Sequence, residues 1–155
     1  MHGQPYVAVI GPGEASPDES ARAEEVGRLL AGRGAVVVCG GLGGVMEAVS
    51  HGAASAGGTV VGILPGRERT DANEHVTIAL STGMGEMRNA LVVRAADAVI
   101  AVGGAYGTLS EIAFALRTGM PVVGIGTWDL DDVVDAPDPV AAVELALALA
   151  GEVGR

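Results

Sequence analysis

The chain is 155 residues long, 49% hydrophobic and 18% charged, with 25 glycines and only 3% aromatic residues. Its length fits one domain, residues 1–155, able to bury a core of Ala, Val, Leu and Ile packed closely around glycine. A formal net charge of −10, with no Lys/Arg stripe to offset it, opposes binding to nucleic acid or to an anionic membrane. The single cysteine, Cys39, allows neither an intrachain disulfide nor a cysteine-based metal cluster.

The N-terminal stretch MHGQPYVAVIG lacks a basic segment, and its apolar run is too short for a signal peptide. The longer uncharged runs are broken by glycine pairs, so no membrane span is expected and the cytoplasm is the expected compartment. Tyr6 to Ile10 predicts a first buried strand, ending in Gly11-Pro12-Gly13. Ser16-Pro17-Asp18-Glu19 combines a capping box with proline at the first helical position, and the helix should stop near Gly32 or Gly34. Ala35 to Cys39 predicts the second strand. Gly40-Gly41-Leu42-Gly43-Gly44 follows, with a helix carrying Val45, Met46 and Val49 that ends at Gly57-Gly58. Thr59 to Leu64 is a third strand, Pro65 to His75 a polar surface loop, and Val76 to Leu80 a short fourth strand. Gly83-Met84-Gly85 leads into a helix from Glu86 to about Ala95, with Met84, Met87 and Leu91 on an apolar face that predicts a homodimer.

Ala98 to Val102 is short, uncharged and β-branched, as a strand buried on both faces should be. Gly103, Gly104 and Gly107 turn the chain into a helix expected from Thr108, with Leu109, Ile112, Ala113 and Leu116 as its buried stripe and Glu111 in its first turn. Gly119 and Pro121 end it, Val122 to Ile125 is a further strand, and DLDDVVD is a loop before a last helix capped at Asp138-Pro139. The alternation of continuous apolar strands with helices predicts an α/β fold: a doubly wound, Rossmann-like parallel sheet with helices on both faces.

In such a sheet the ligand crevice lies outside the carboxyl ends of the strands, where their order reverses. The three glycine turns, after Ile10, Cys39 and Val102, all fall at such ends. Gly103 to Thr108 leaves unpaired N–H groups pointing at one spot, with a hydroxyl from Thr108, which suits a phosphate. A dinucleotide fits poorly, because GPGEAS lacks the third glycine of G-x-G-x-x-G and Cys39-Gly40 stands where a ribose-binding carboxylate belongs. A Walker loop is excluded by the absence of any lysine. His2, His51 and His75 have no close ligand partners in sequence, so no metal is expected. A mononucleotide or sugar phosphate remains, with Arg88 as a planar donor to phosphate and Glu111 as a general base or a partner for ribose hydroxyls.

These residues carry a resemblance. GGAYGTLSE, Gly103 to Glu111, resembles the P-G-G-x-G-T-x-x-E signature of the Lonely Guy family, which has long carried a lysine decarboxylase label. GGLGGVM, Gly40 to Met46, is similar to that family's G-G-G-x-x-G-L-M turn, and Met87-Arg88-Asn89 to its M-x-x-R-K helix at the arginine. The resemblance implies hydrolysis of the N-glycosidic bond of a nucleoside 5′-monophosphate by a homodimer, with Arg88 and Glu111 as catalytic residues. It also implies a nucleotide-binding surface formed from Gly11, Gly41, Gly44, Met46, Arg88, Gly103, Gly104, Ala105, Tyr106, Gly107 and Thr108. No cofactor is expected, since pyridoxal phosphate needs a lysine and the chain has none. Val102 for the motif proline, Ser110 for a second glutamate, Asn89 for lysine and Cys39 for a glycine make the pattern closer to a sister group. That group includes molybdenum-cofactor carrier proteins, which bind a phosphorylated pterin in a similar fold without hydrolysing a nucleotide.

Overall fold

Strands rich in valine have nowhere to face but apolar neighbours, and here they lie between two layers of helix. The computed structural model describes residues 3–153. Its strands are β1 (Tyr6–Ile10), β2 (Val36–Cys39), β3 (Val60–Leu64), β4 (Ile78–Ser81), β5 (Ala98–Val102), β6 (Val122–Ile125) and β7 (Val134–Asp135). Its helices are α1 (Pro17–Gly32), α2 (Val45–Ser55), α3 (Arg88–Arg94), α4 (Tyr106–Arg117) and α5 (Pro139–Val153). The strands form one sheet in the order β4-β3-β2-β1-β5-β6-β7, with every pairing parallel. The architecture is the expected Rossmann-like α/β fold.

Alternation along β1 sorts the core into two halves. Val7 and Val9 pack with α1, α2 and α5, whereas Ala8 and Ile10 pack with Val92 and Val93 of α3 and Ile112 and Ala115 of α4. Ala8 sits in register between Val38 of β2 and Val99 of β5, so the centre of the sheet is dry on every side. The edges differ: Ile78 and Leu80 of β4 are nearly half exposed. No helix among the described residues is long and apolar enough to cross a membrane.

The start signals for α1 hold. The Ser16 N–H donates to Glu19 Oε1 at 2.9 Å and the Glu19 N–H to Ser16 Oγ at 3.1 Å, a reciprocal capping box. Gly34, at φ +74°, takes the left-handed stop after α1. Asp138 caps α5 by accepting the Ala141 N–H at 2.8 Å.

Four local expectations are corrected. The fourth strand begins at Ile78 rather than Val76, because the Val76 N–H is taken by a turn to Asn73 O. Gly85 to Met87 is a 3-10 turn, so α3 starts at Arg88 and not at Glu86. Helix α4 begins at Tyr106, two residues early, so Gly107 lies within its first turn and Glu111 in its second. Its buried stripe is Thr108, Ile112 and Ala115, while Ala113 is exposed. Finally, the acidic DLDDVVD run contains β7, a two-residue edge strand pairing Val134 with Val123. With one neighbour and exposed side chains, β7 has no apolar run to announce it.

Helices α1 and α2 cross with their backbones nearly touching. A Cβ at Gly27 would overlap Val49 O, and one at Gly52 would overlap Glu24 O. Gly→Ala in a helix ordinarily gains about 0.5–1 kcal/mol, but overpacking costs about 1–3 kcal/mol. Gly52→Ala should therefore lower stability by roughly 1–2 kcal/mol, read as a lower urea midpoint. An unchanged or higher midpoint would contradict the close crossing.

Candidate functional site

The strand order reverses between β1 and β5. From β1 the chain departs to α1 on one face, and from β5 to α4 on the other, so the two exits diverge and leave a crevice. The glycine turns at the ends of β2, β1 and β5 stand on three adjacent strands and converge there. Between them lies a cavity of about 250 Å³, floored by Val9 and Ile10. One wall is Gly11, Pro12 and Gly13; a second is Gly40 and Met46; Arg88 and Asn89 of α3, and Ala105, Gly107, Thr108 and Glu111 at the start of α4, close it.

Arg88 is the dominant charge. It is the first residue of α3, and the side chain is 8% exposed. It runs over Gly40, where a Cβ would come within 2.8 Å of Nη2 and 2.6 Å of Met46 Sδ; only glycine leaves room for the guanidinium there. Burial holds the Arg88 pKa below its usual value against the opposing pull of Glu111. Its Nε has no hydrogen-bond partner, and a weak contact of Nη2 to Met46 Sδ at 4.0 Å is no substitute for an oxygen.

Two more buried polar atoms on residues of this cavity share this state, as does Thr127 Oγ1 away from it. Thr108 Oγ1, on a residue 2% exposed, and Asn89 Oδ1 both lack partners. Ala105 caps α4 without a side-chain acceptor, so the first-turn N–H groups of α4 are also open. Buried polar atoms are rarely left unpaired, and each costs about 1–3 kcal/mol. A guanidinium, a hydroxyl and helix N–H groups around one cavity are the donor set of an anion site.

Glu111 reaches the same cavity from the second turn of α4. Removal from water pushes its pKa up to about 7, with Arg88 working the other way. The two do not touch: the ion pairs among the described residues are Arg28–Glu25, Arg33–Glu144, His51–Glu24 and His75–Glu74. Space between them is left for a ligand.

Of the expected residues, the structure brings together Gly11, Met46, Arg88, Ala105, Gly107, Thr108 and Glu111. The other five stand off the cavity wall. Gly41 packs on Leu64, Gly44 caps α2 against Pro12 O and Gly13, and Gly103 leaves room for the Glu19 carboxylate. Gly104 lies under Trp128, and Tyr106 is 85% exposed, stacked on Trp128 with ring centroids 6.0 Å apart. Sequence reasoning missed Pro12, Gly13 and Gly40 as wall residues, and it read Asn89 only as a departure from a motif. Cys39 is a core thiol, buried beside Ser50 with its pKa pushed up by burial.

Two of the histidines meet in space. Though 24 residues apart, His51 and His75 stack with centroids 4.6 Å apart, and Glu24 pairs with His51. His2 lies outside the described residues. Among the described residues no group of His, Cys, Asp and Glu is placed to hold a metal.

Residues 4–149 match the SLOG cluster4 family. The chain belongs to that family. Among similar solved structures, the molybdenum cofactor binding protein of the phototrophic bacterium Rippkaea orientalis is 37% identical, with TM-score 0.91 over 96% of this chain and 99% of that one. The molybdenum cofactor carrier protein of Chlamydomonas reinhardtii is 31% identical, with TM-score 0.88 over the same shares. A rice relative, the probable cytokinin riboside 5′-monophosphate phosphoribohydrolase LOGL9, is 33% identical over 125 residues, 73% of this chain and 52% of that protein. The chain spans about half the length of the rice relative.

Folded Glu111 titrates near 7 against an ordinary 4.5, so the folded state favours its protonated form. Its contribution to stability is fully present below pH 4.5 and is lost as pH rises through about 7, a difference of up to roughly 3 kcal/mol. Glu111→Gln should cancel this loss, so its advantage in urea midpoint over the parent should grow between pH 5 and pH 8. Parallel curves across that range would contradict the burial of an ionisable Glu111.

Proposed function

We propose that this protein binds a small phosphorylated ligand in the crevice and carries a phosphorylated pterin of the molybdenum-cofactor type. The observation that supports this most is the pair of buried, partnerless donors, Arg88 Nε and Thr108 Oγ1, on residues that line one cavity. A phosphate accepting from Arg88, Thr108 and the first-turn N–H groups of α4 would satisfy the donors together. The carrier reading takes its ligand class from the two solved molybdenum-cofactor proteins, which match this chain along nearly its whole length.

A second reading is favoured by one specific feature. A carboxyl with pKa about 7 beside Arg88 suits general acid or base chemistry at neutral pH. In that reading Arg88 holds the phosphate of a nucleoside 5′-monophosphate. Glu111 holds ribose hydroxyls or positions water as an oxocarbenium-like centre develops at C1′, and the base is released. The rice relative supports it.

The exposed Met84, Met87 and Leu91 support a homodimer in either case. Sedimentation at micromolar concentration should give twice the chain mass, and a monomer would remove this part of the proposal.

Native mass spectrometry of gently purified protein separates the two readings. The carrier reading expects retained mass and absorbance of a phosphorylated pterin, lost in Arg88→Ala. No retained ligand, together with free base from a nucleoside monophosphate panel that Glu111→Gln lowers by about 10²- to 10⁴-fold, would replace it with the hydrolase.

A further inference from the structure

Beyond the phosphate cavity the crevice continues into a wider groove of about 520 Å³ between α3 and α4. The two share Asn89, Gly107 and Glu111, so a single ligand can occupy both. The groove's composition is unlike the rest of the molecule. Only four aromatic side chains exist in the chain, and two of them, Tyr106 and Phe114, line the groove beside Met87. A third, Trp128, stacks on Tyr106 and donates its indole N–H to Ala105 O at 3.1 Å. Flat rings and a methionine sulfur stack well on a planar heterocycle.

The charged groups on the polar edge of the groove are all acidic. Glu86 and Glu111 bring two carboxylates to it beside the side chains of Asn89 and Ser110, while no lysine, arginine or histidine lines it. Such an edge accepts hydrogen bonds, and a ring carboxylate or a second phosphate would be repelled. Paired N–H donors, as on a 2-amino-4-oxopyrimidine edge, match a carboxylate two to one. Guanine and pterin rings both carry that edge; hypoxanthine lacks its amino group.

We propose that the α3–α4 groove is the ring subsite of the crevice, and that the Glu86 and Glu111 carboxylates select a 2-amino-4-oxo heterocycle by accepting its N–H donors. This rests on the phosphate reading of the adjoining cavity. Glu86 is here a specificity-determining residue.

Trp128, the only tryptophan, is a built-in reporter, and the probes are GMP, IMP and ribose 5-phosphate titrated at pH 8, where Glu111 is ionised. GMP should bind about tenfold tighter than IMP, the loss expected for one hydrogen bond to a charged acceptor. IMP should in turn bind tighter than ribose 5-phosphate. Glu86→Gln, exposed and free of packing duties, should cut the GMP-to-ribose 5-phosphate affinity ratio about tenfold. Ribose 5-phosphate binding as tightly as GMP and IMP would overturn the ring subsite and leave the phosphate reading standing. Binding of none of the three would overturn both. GMP and IMP of equal affinity, both tighter than ribose 5-phosphate, would overturn the donor-edge selection.

Discussion

A parallel sheet whose strand order reverses cannot close its own carboxyl edge. At β1 and β5 the chain departs to opposite faces, and whatever fills the gap must come from loops and helix ends rather than from the sheet. In this protein the gap is met by glycine turns on β2, β1 and β5. The consequence is a crevice lined largely by backbone, into which only a few side chains project, and Arg88 is the one that sets its character. Burying that guanidinium with no carboxylate in contact is costly unless an anion completes it.

Everything around Arg88 is arranged to keep it there. Gly40 gives the side chain its path, and α3 is pinned to the sheet by Val92 and Val93. Thr108 sits on the buried stripe of α4, so the packing that fixes Ile112 and Ala115 also fixes the hydroxyl. Glu111, one turn on, is drawn out of water by the same packing and loses acidity as a result. Arg88 and Thr108 are therefore held in place by the packing of α3 and α4. The site opens toward the groove of Tyr106 and Phe114, and the pterin and nucleotide readings differ only in what happens there.

Much of this was legible in the residues. Buried strands in a parallel sheet read as unbroken apolar runs, and the capping box at Ser16 and the glycine stop at Gly34 mark α1 because each answers a local hydrogen-bonding need. Arg88, Thr108 and Glu111 stand out in the sequence beside glycine turns and in the motifs that carry the family resemblance, and all three line one cavity. The misses have equally local causes. Gly107 reads as a turn residue but lies inside α4, which moved the helix start and rotated the buried stripe. Glycine composition could not say which of the turn residues line the cavity, because Gly41, Gly44, Gly103 and Gly104 serve packing against Leu64, Pro12, Glu19 and Trp128 instead. The pairing of His51 with His75 and the strand β7 depend on tertiary placement alone.

The central claim is that the partnerless donors at the β1–β5 reversal hold a phosphate. Amide and guanidinium ¹H–¹⁵N shifts recorded while inorganic phosphate is titrated in test it most directly. The account predicts saturable shifts at the Arg88 Nε–H, at Tyr106 to Thr108 and at Gly11 and Gly13, with His51 and His75 unmoved. Absence of any shift at Arg88, or shifts centred on the histidine pair, would contradict it.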